Sequence, residues 1–406
     1  MSLPLRNPRR EFLRFLAGSP LYAAGLTQLK EIQAQENGVR TEKQAAVPTT
    51  PEEMLNVFEF EDITRGKLPP AHLGYLLGGT DDDKTLKANR EGFDRFDLRP
   101  RRLVDVSKTD LRTQVFGQTW DSPIFLSPVG AQGAFHPEAE VAVARAAKAK
   151  KHVQILSTVT SRSVEDVAKA LGTAPWYQLY MPQTWDATDR MVKRVEQAGC
   201  PVLCWTIDLL GGRNGETASR MARQDTRDCS SHINGTGAAS FASRPMFRGI
   251  EGGVNPREAN WSYVARLKKL SRMKLILKGI DSAADAKLAK DNGADGILIS
   301  NHGGRATETL RSTIETLPEI INAVGRDFPV LIDSGFRRGT DIYKALAMGA
   351  HAVGVGRPYV FGLSAFGQAG VERVLEILRT ELTTTMRQCG TPTIGDIKPG
   401  LVGRRG

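Results

Sequence analysis

From Pro123 onward, short apolar runs alternate with amphipathic stretches. The apolar runs are "PIFLSPVG" (123–130), "HVQILSTV" (152–159), "PWYQLYM" (175–181), "PVLCWTID" (201–208), "KLILKGI" (274–280), "DGILISNH" (295–302), "PVLIDSG" (329–335) and "HAVGVGRP" (351–358). Each is nearly continuous in apolar residues, as a strand buried on both faces must be. Between most of them lie segments with apolar residues at helical spacing: "HPEAEVAVARAAKAKK", "SVEDVAKAL", "TDRMVKRVEQAG", "SAADAKLAKDNG" and "RGTDIYKALAMGA". Several open on Ser, Thr or Asp and stop at Gly or Asn, the residues that cap helix ends. Eight strand–helix repeats predict an α/β protein, a TIM (β/α)8 barrel. An open doubly wound sheet is the alternative, but no G-x-G-x-x-G follows the first strand. After the fourth strand, residues 209–260 form a long insertion without strong periodicity, and a lid is the expected use of such a loop.

A barrel brings the C-terminal ends of its strands to one place. Here those ends carry Ser127 and Gly130, Ser157, Gln178 and Tyr180, Thr206 and Asp208, Lys278, His302 and Arg305, Asp333 and Arg337, Gly356 and Arg357. An unpaired buried polar group costs about 1–3 kcal/mol, so a purely structural barrel would place small or apolar residues there. Their convergence therefore predicts a site.

Composition narrows the classes. The length of 406 residues suits two or three domains, or one barrel with insertions. A formal charge of +10 raises the question of nucleic acid. No Lys/Arg block with interleaved aromatics and no zinc-finger spacing supports it, so no nucleic-acid partner is expected. A basic surface instead favours anionic small molecules. Cys200, Cys204, Cys229 and Cys389 match neither a CxxC pair nor a disulfide scaffold, and no metal is expected. No apolar run reaches the 18 or so residues of a conventional membrane span.

Residues 5–26, "LRNPRREFLRFLAGSPLYAAGL", set Arg9-Arg10 before Phe12-Leu13 and an uncharged stretch. The pattern resembles a twin-arginine export signal, with Pro8 in place of the usual Ser/Thr. Periplasmic export is the expectation, and a cytoplasmic protein with a basic amphipathic helix is the alternative. Residues 27–50 are polar and linker-like. The expected organisation is a signal-like segment and linker over 1–50, a barrel over 51–390 and a tail over 391–406.

"SNHGGR", "LKGI", "QLY", "TID" and "DSGFRRGTDIYKALAMGAHAVGVGRP", each at its own strand, resemble the FMN-dependent α-hydroxy-acid oxidases and dehydrogenases, the family of glycolate oxidase, lactate oxidase and mandelate dehydrogenase. The resemblance runs from about Asn56 to about Cys389, and the stretch from Asn56 to Ser107 is similar to that family's helical lead-in. It implies oxidation of a small 2-hydroxy acid to a 2-oxo acid, with two electrons passing to FMN. His302 then matches the base, a group that titrates in the right range. Asp208 matches the carboxylate that orients it. Arg305 matches the residue that grips the substrate carboxylate with two parallel hydrogen bonds. Tyr75 and Tyr180 match phenols that meet the substrate.

For the cofactor, the resemblance implies Lys278 beside the negative end of the reduced flavin. Ser157, Gln178, Thr206 and Ser300 match polar contacts to it, and Asp333 a ribityl contact. Gly335, Arg337, Gly356 and Arg357 form the phosphate site. A homo-oligomer, a tetramer by resemblance, is also implied. The electron acceptor stays open between oxygen, a quinone and a cytochrome.

Three departures stand out. Ser334 replaces the first glycine of a usual D-G-G. "DLLGGRNGE" (208–216) puts Gly215 where a second carboxylate-binding arginine is usual, with Arg213 nearby. Val159 stands in place of a tryptophan. The substrate pocket is thus rebuilt, and a larger or peptide-derived substrate is the second reading. A non-catalytic flavin binder is disfavoured because base, aspartate and arginine occur together. Cys229 and His232 are too few to form a metal site.

The export reading makes a prediction. Arg9→Lys with Arg10→Lys should hold active, FMN-loaded protein in the cytoplasm without changing its catalysis. Fractionation checks this, and wild-type protein found wholly in the cytoplasm with its N-terminus intact overturns it.

Overall fold

In the computed structural model of the chain, residues 48–227 and 243–405 are described. Arg9, Arg10, Cys229 and His232 lie outside the described residues. The chain divides into two compact units, Met1–Thr49 and Thr50–Gly406.

The second unit opens with helices α1 (Glu59–Lys67), α2 (Pro70–Leu77) and α3 (Lys84–Glu91), strand β1 (Phe96–Leu98) and the hairpin β2 (Thr113–Val115) and β3 (Gln118–Trp120). Then come β4 (Ile124–Leu126), α4 (Ala139–Lys150), β5 (Val153–Ser157), α5 (Val164–Leu171), β6 (Trp176–Leu179), α6 (Trp185–Gln197) and β7 (Val202–Thr206). After the short α7 (Glu216–Ala222), α8 (Ser262–Leu270) leads into β8 (Lys274–Ile280), α9 (Ala283–Asp291), β9 (Gly296–Ile299) and α10 (Thr313–Val324). The chain finishes with β10 (Val330–Ile332), α11 (Gly339–Met348), β11 (Ala352–Val355), α12 (Arg357–Gln388) and β12 (Val402–Arg404).

Strands β4 to β11 close into one parallel barrel in sequence order. All eight lie within the apolar runs seen in the sequence. The five helix-like segments are helices α4, α5, α6, α9 and α11. Side-chain oxygens of Ser163 and Ser282 accept backbone N–H groups at the starts of α5 and α9, as their sequences predict, whereas α6 starts earlier than the segment opening at Thr188 and is capped by Thr184.

Side-chain parity sorts the barrel interior. Residues two apart on a strand face the same way. Phe125, Ile155, Trp176, Cys204, Ile276, Leu298 and Leu331 pack together inside the barrel with Val115 and Trp120 of the hairpin. Two residues further along each strand stand Ser127, Ser157, Gln178, Thr206, Lys278, Ser300 and Asp333. The lower interior is therefore dry and the upper interior polar. Trp120 and Trp176 meet edge to face with centroids 5.2 Å apart, so the hairpin plugs the dry end.

Residues 391–406, set apart as a tail in the sequence reading, carry β12, which pairs antiparallel with β1. Part of the expected lid also has fixed structure in α7. No helix among the described residues is long and apolar enough to cross a membrane.

Trp176 is 2% exposed. Trp176→Ala should lower unfolding free energy by about 3–5 kcal/mol, the usual cost of emptying so large a core position. Denaturant melts of the purified protein check this.

Candidate active site

The strand ends are cross-linked by hydrogen bonds. Ser157 Oγ donates to Gln178 Oε1 (3.0 Å), and Gln178 Nε2 donates to Thr206 Oγ1 (2.9 Å). Lys278 is 3% exposed, and its Nζ donates to Ser300 Oγ (3.0 Å). Burial opposes its charge, but Asp208 and Asp333 overcome this and raise its pKa. Asp333 accepts from Ser127 Oγ at 3.1 Å and from Ser334 Oγ at 2.9 Å.

His302 follows β9 in a left-handed turn, with φ 59°, 68° and 78° at His302, Gly303 and Gly304. Its backbone N–H donates to Ser300 Oγ. Nδ1 lies 3.0 Å from Asp208 Oδ1, and Nε2 lies 3.2 Å from the Tyr180 hydroxyl. Burial, then the Lys278 charge, push the imidazole below its ordinary pKa, while Asp208 pulls the other way. Burial pushes Asp208 up, but His302 and Lys278 bring it below the usual carboxylate range. An ionised carboxylate only accepts, so Nδ1 carries the proton and Nε2 is bare. Burial raises the Tyr180 pKa, so its hydroxyl remains a donor toward that nitrogen. Asp208 fits beside β8 because Gly279, at φ 101°, has no Cβ; one built there would sit 2.5 Å from Asp208 Cβ.

Two of the arginines hold backbone. Arg305 donates from Nε to Gly78 O (3.1 Å) and from Nη2 to Leu76 O (3.3 Å) and Tyr75 O. Arg357 donates to Leu76 O (2.6 Å), Gly303 O (2.8 Å) and Gly78 O (2.9 Å). Apart from Gly303 O in the histidine turn, these carbonyls cluster at the C-terminal end of α2, where helices leave acceptors unpaired and carry partial negative charge. The pair thereby fixes α2 and its Tyr75 over the cleft. Arg305 also lies 4.6 Å from the centre of the Tyr75 ring. Its Nη1 has no hydrogen bond among the described residues, so one nitrogen, rather than a full fork, remains for a ligand. Arg337 Nη1 donates to the Phe336 carbonyl at 3.0 Å. Burial lowers the pKa of Arg305 and of Arg337 to about 10, and both stay cationic at neutral pH.

The segment after β7 straps onto α2. Asp225 accepts from the Ala71 N–H in its first turn (3.1 Å). At the other end Thr80 Oγ1 donates to Asn214 O (3.0 Å), and Thr217 Oγ1 to Asp83 (2.6 Å). Arg213, which the site prediction left out, lies 5.9 Å from the centre of the Tyr75 ring and adds to the lowering of His302. Also missed was the buried reciprocal amide pair of Asn89 and Asn301, 2.8 Å in each direction, which ties α3 to the histidine turn. "SNHGGR" marks Asn301, but nothing in the sequence marks Asn89.

Tyr75, Ser157, Tyr180, Lys278, His302, Arg305, Asp333, Gly335, Arg337, Gly356 and Arg357 line one cleft of about 740 Å³, counting its open mouth. Asp208, Gln178, Thr206 and Ser300 stand behind that lining. All the residues predicted from the sequence thus come to one end of the barrel. No cluster of three or more His, Cys, Asp or Glu suited to a metal exists among the described residues.

A family described as FMN-dependent dehydrogenase matches residues 64–404. The chain belongs to the FMN-dependent dehydrogenase family. A peroxisomal (S)-2-hydroxy-acid oxidase from Oryza sativa subsp. japonica is 38% identical over 353 residues, covering 84% of this chain and 94% of that protein. The solved structure of a soluble mutant of the membrane-associated (S)-mandelate dehydrogenase from Pseudomonas putida is similar with TM-score 0.79 at 33% identity, covering 87% of this chain and all (100%) of that one. A doubly substituted flavocytochrome b2 with pyruvate bound gives TM-score 0.79 at 30% identity, covering 91% of each chain.

The donor set of this chain fits FMN, the cofactor of its family. A buried ammonium, Lys278, and a buried neutral amide, Gln178, face the barrel axis, and the half-buried guanidinium groups of Arg337 and Arg357 lie by the loops after β10 and β11, the barrel's usual phosphate position.

His302, followed by NMR, should titrate below the ordinary imidazole value of 6.5. Asp208→Asn should lower it further, because the carboxylate favours the protonated ring. A rise in the variant would contradict the assigned pairing.

Proposed function

We propose that this FMN-dependent enzyme oxidises a 2-hydroxy acid to the 2-oxo acid, with His302 as base. The relatives named above, an (S)-2-hydroxy-acid oxidase and an (S)-mandelate dehydrogenase, support the substrate class. The observation that carries the reading is His302 itself: Asp208 on one nitrogen, a bare second nitrogen facing the cleft, and Arg305 beside it.

When bound, FMN would supply the acceptor for two electrons and for the hydrogen that His302 does not take. Lys278, Gln178, Thr206, Ser157 and Ser300 would hold its ring system, with Lys278 offering positive charge where a reduced ring is negative. Asp333 would meet the ribityl chain, and Gly335, Arg337, Gly356 and Arg357 would hold the phosphate. The substrate carboxylate meets Arg305 Nη1 and the Tyr75 hydroxyl, which places the carbinol carbon near His302. Nε2 accepts a substrate proton, and Asp208 stabilises the imidazolium that forms. Tyr180 orients the hydroxyl group at that nitrogen.

A substrate bulkier than the smallest 2-hydroxy acids is the second reading. Val159 lines the cleft, and a Cβ built at Gly215 would meet only Ala218 Cβ, at 4.0 Å. Export of the folded, FMN-loaded chain and assembly into a homo-oligomer complete the proposal. Export rests on Arg9 and Arg10, and assembly on the family resemblance.

Purified protein should be yellow and release FMN on denaturation. His302→Ala should keep the cofactor but slow flavin reduction by a factor of about 10²–10⁴, the range for losing general-base help. A colourless protein that FMN does not reconstitute, or a variant reduced at the normal rate, would each overturn the assignment.

A further inference from the structure

The loop after β10 carries a serine in a backbone conformation that disfavours side chains. Ser334 has φ 79°, where Cβ crowds the following carbonyl. Such strain persists only when the surroundings over-determine it. Here the surroundings are specific. Ser334 Oγ accepts the Gly303 N–H at 3.0 Å and donates to Asp333 Oδ1 at 2.9 Å. Ser127 Oγ donates to the other oxygen of the same carboxylate at 3.1 Å. Thr313 Oγ1 fixes the loop from behind through the carbonyls of Asp333 (2.7 Å) and Ser334 (3.3 Å). The hydroxyl has one proton to give, and Asp333 takes it; the lone pair it presents to the neighbouring loop is taken by Gly303. Gly303 is the residue directly after His302.

We propose that Ser334 is a positioning residue for His302, its hydroxyl splicing the histidine turn to the Asp333 carboxylate so that the two move as one unit. The proposal rests on the functional reading given above for the roles of His302 and Asp333. A glycine at 334 would satisfy the backbone better than serine does, so relief of strain cannot account for the side chain; the two hydrogen bonds can. Asp333 is buried and Gly303 half-buried, and both line the cleft, so losing the hydroxyl replaces one fixed link between the two loops by separate contacts with cleft water. The turn would then settle differently against the groups that face the imidazole: Asp208 from the end of β7, Lys278 from β8, Tyr180 from the end of β6, Arg213 from the segment before α7, and Arg305 from the same turn.

Two variants of the full chain separate the hydroxyl from the strain. Ser334→Ala keeps the left-handed backbone under strain and removes the hydroxyl; Ser334→Gly removes both. In each, the amide of Gly303 should exchange its hydrogen about tenfold faster or more, as expected when a local hydrogen bond is lost. FMN should be retained, and kcat for a 2-hydroxy acid should fall about three- to tenfold, the scale of one modest hydrogen bond. The acid limb of kcat/KM should move to lower pH in both, because an imidazole held less closely to Asp208 loses the contact that favours its protonated form. Thermal midpoints should diverge, with the glycine variant melting above the alanine variant. Wild-type kcat and an unmoved acid limb in both variants would overturn the proposal, leaving the hydroxyl a space-filler. So would wild-type kinetics restored in Ser334→Gly alone, which would make strain the cause. Failure of the functional reading looks different: the wild-type protein itself would bind no FMN or would not be reduced by any 2-hydroxy acid.

Discussion

A strand turns successive side chains to opposite faces, and closing eight parallel strands into a barrel makes one of those faces an interior. Everything else in this molecule depends on that constraint. Once Phe125, Ile155, Trp176, Ile276, Leu298 and Leu331 point inward to make the dry layer, the residue two places on has no choice but to point inward as well. Ser127, Ser157, Gln178, Lys278, Ser300 and Asp333 are therefore delivered to one end of the barrel by register alone. The dry layer excludes water from below, and the Trp120 hairpin seals it.

The polar layer is stable because its charges are arranged as a set. Lys278 lies within electrostatic range of both Asp208 and Asp333, and each of these also meets a neutral or weakly basic partner, His302 for one and two serine hydroxyls for the other. Buried charges of this kind are tolerable only when paired and hydrogen-bonded. Burial, with the Lys278 charge and against the pull of Asp208, holds the His302 pKa below its ordinary value, which favours the uncharged state a base needs. Stability and reactivity at this end of the barrel thus have one physical origin.

The barrel was legible because its strands are continuous apolar runs between turn residues, a pattern that does not depend on distant contacts. The place of the cleft was legible for the same reason, since strand ends that should be apolar are not; the roles given to its residues, and Tyr75 on α2, came from the family resemblance. Other features depend on contacts far apart in sequence. Strands β2, β3 and β12 are no shorter than β4 or β10, but they lie in polar stretches with no apolar run to mark them. Asn89 pairs with a residue 212 positions away. The left-handed backbone of Ser334 is invisible in a motif that reads as a mild substitution. The partners of Arg305 and Arg357 are backbone carbonyls, which every residue offers, so no sequence signal could single them out. Arg213 was noticed only as a neighbour of a displaced arginine; its place over Tyr75 follows from the strap that binds α7 to α2.

The grip of Arg305 and Arg357 on the carbonyls of α2 bears on how an anion enters the cleft. In bulk water an approaching carboxylate or phosphate must strip solvent from the cation that receives it. Here much of the guanidinium hydration has already been replaced by fixed peptide oxygens, oriented at the negative end of a helix. An arriving oxyanion need only join, or exchange with, acceptors that are themselves held in place. The rearrangement is a short shift of hydrogen bonds within a rigid frame rather than a reorganisation of liquid, and the helix that carries Tyr75 registers it directly.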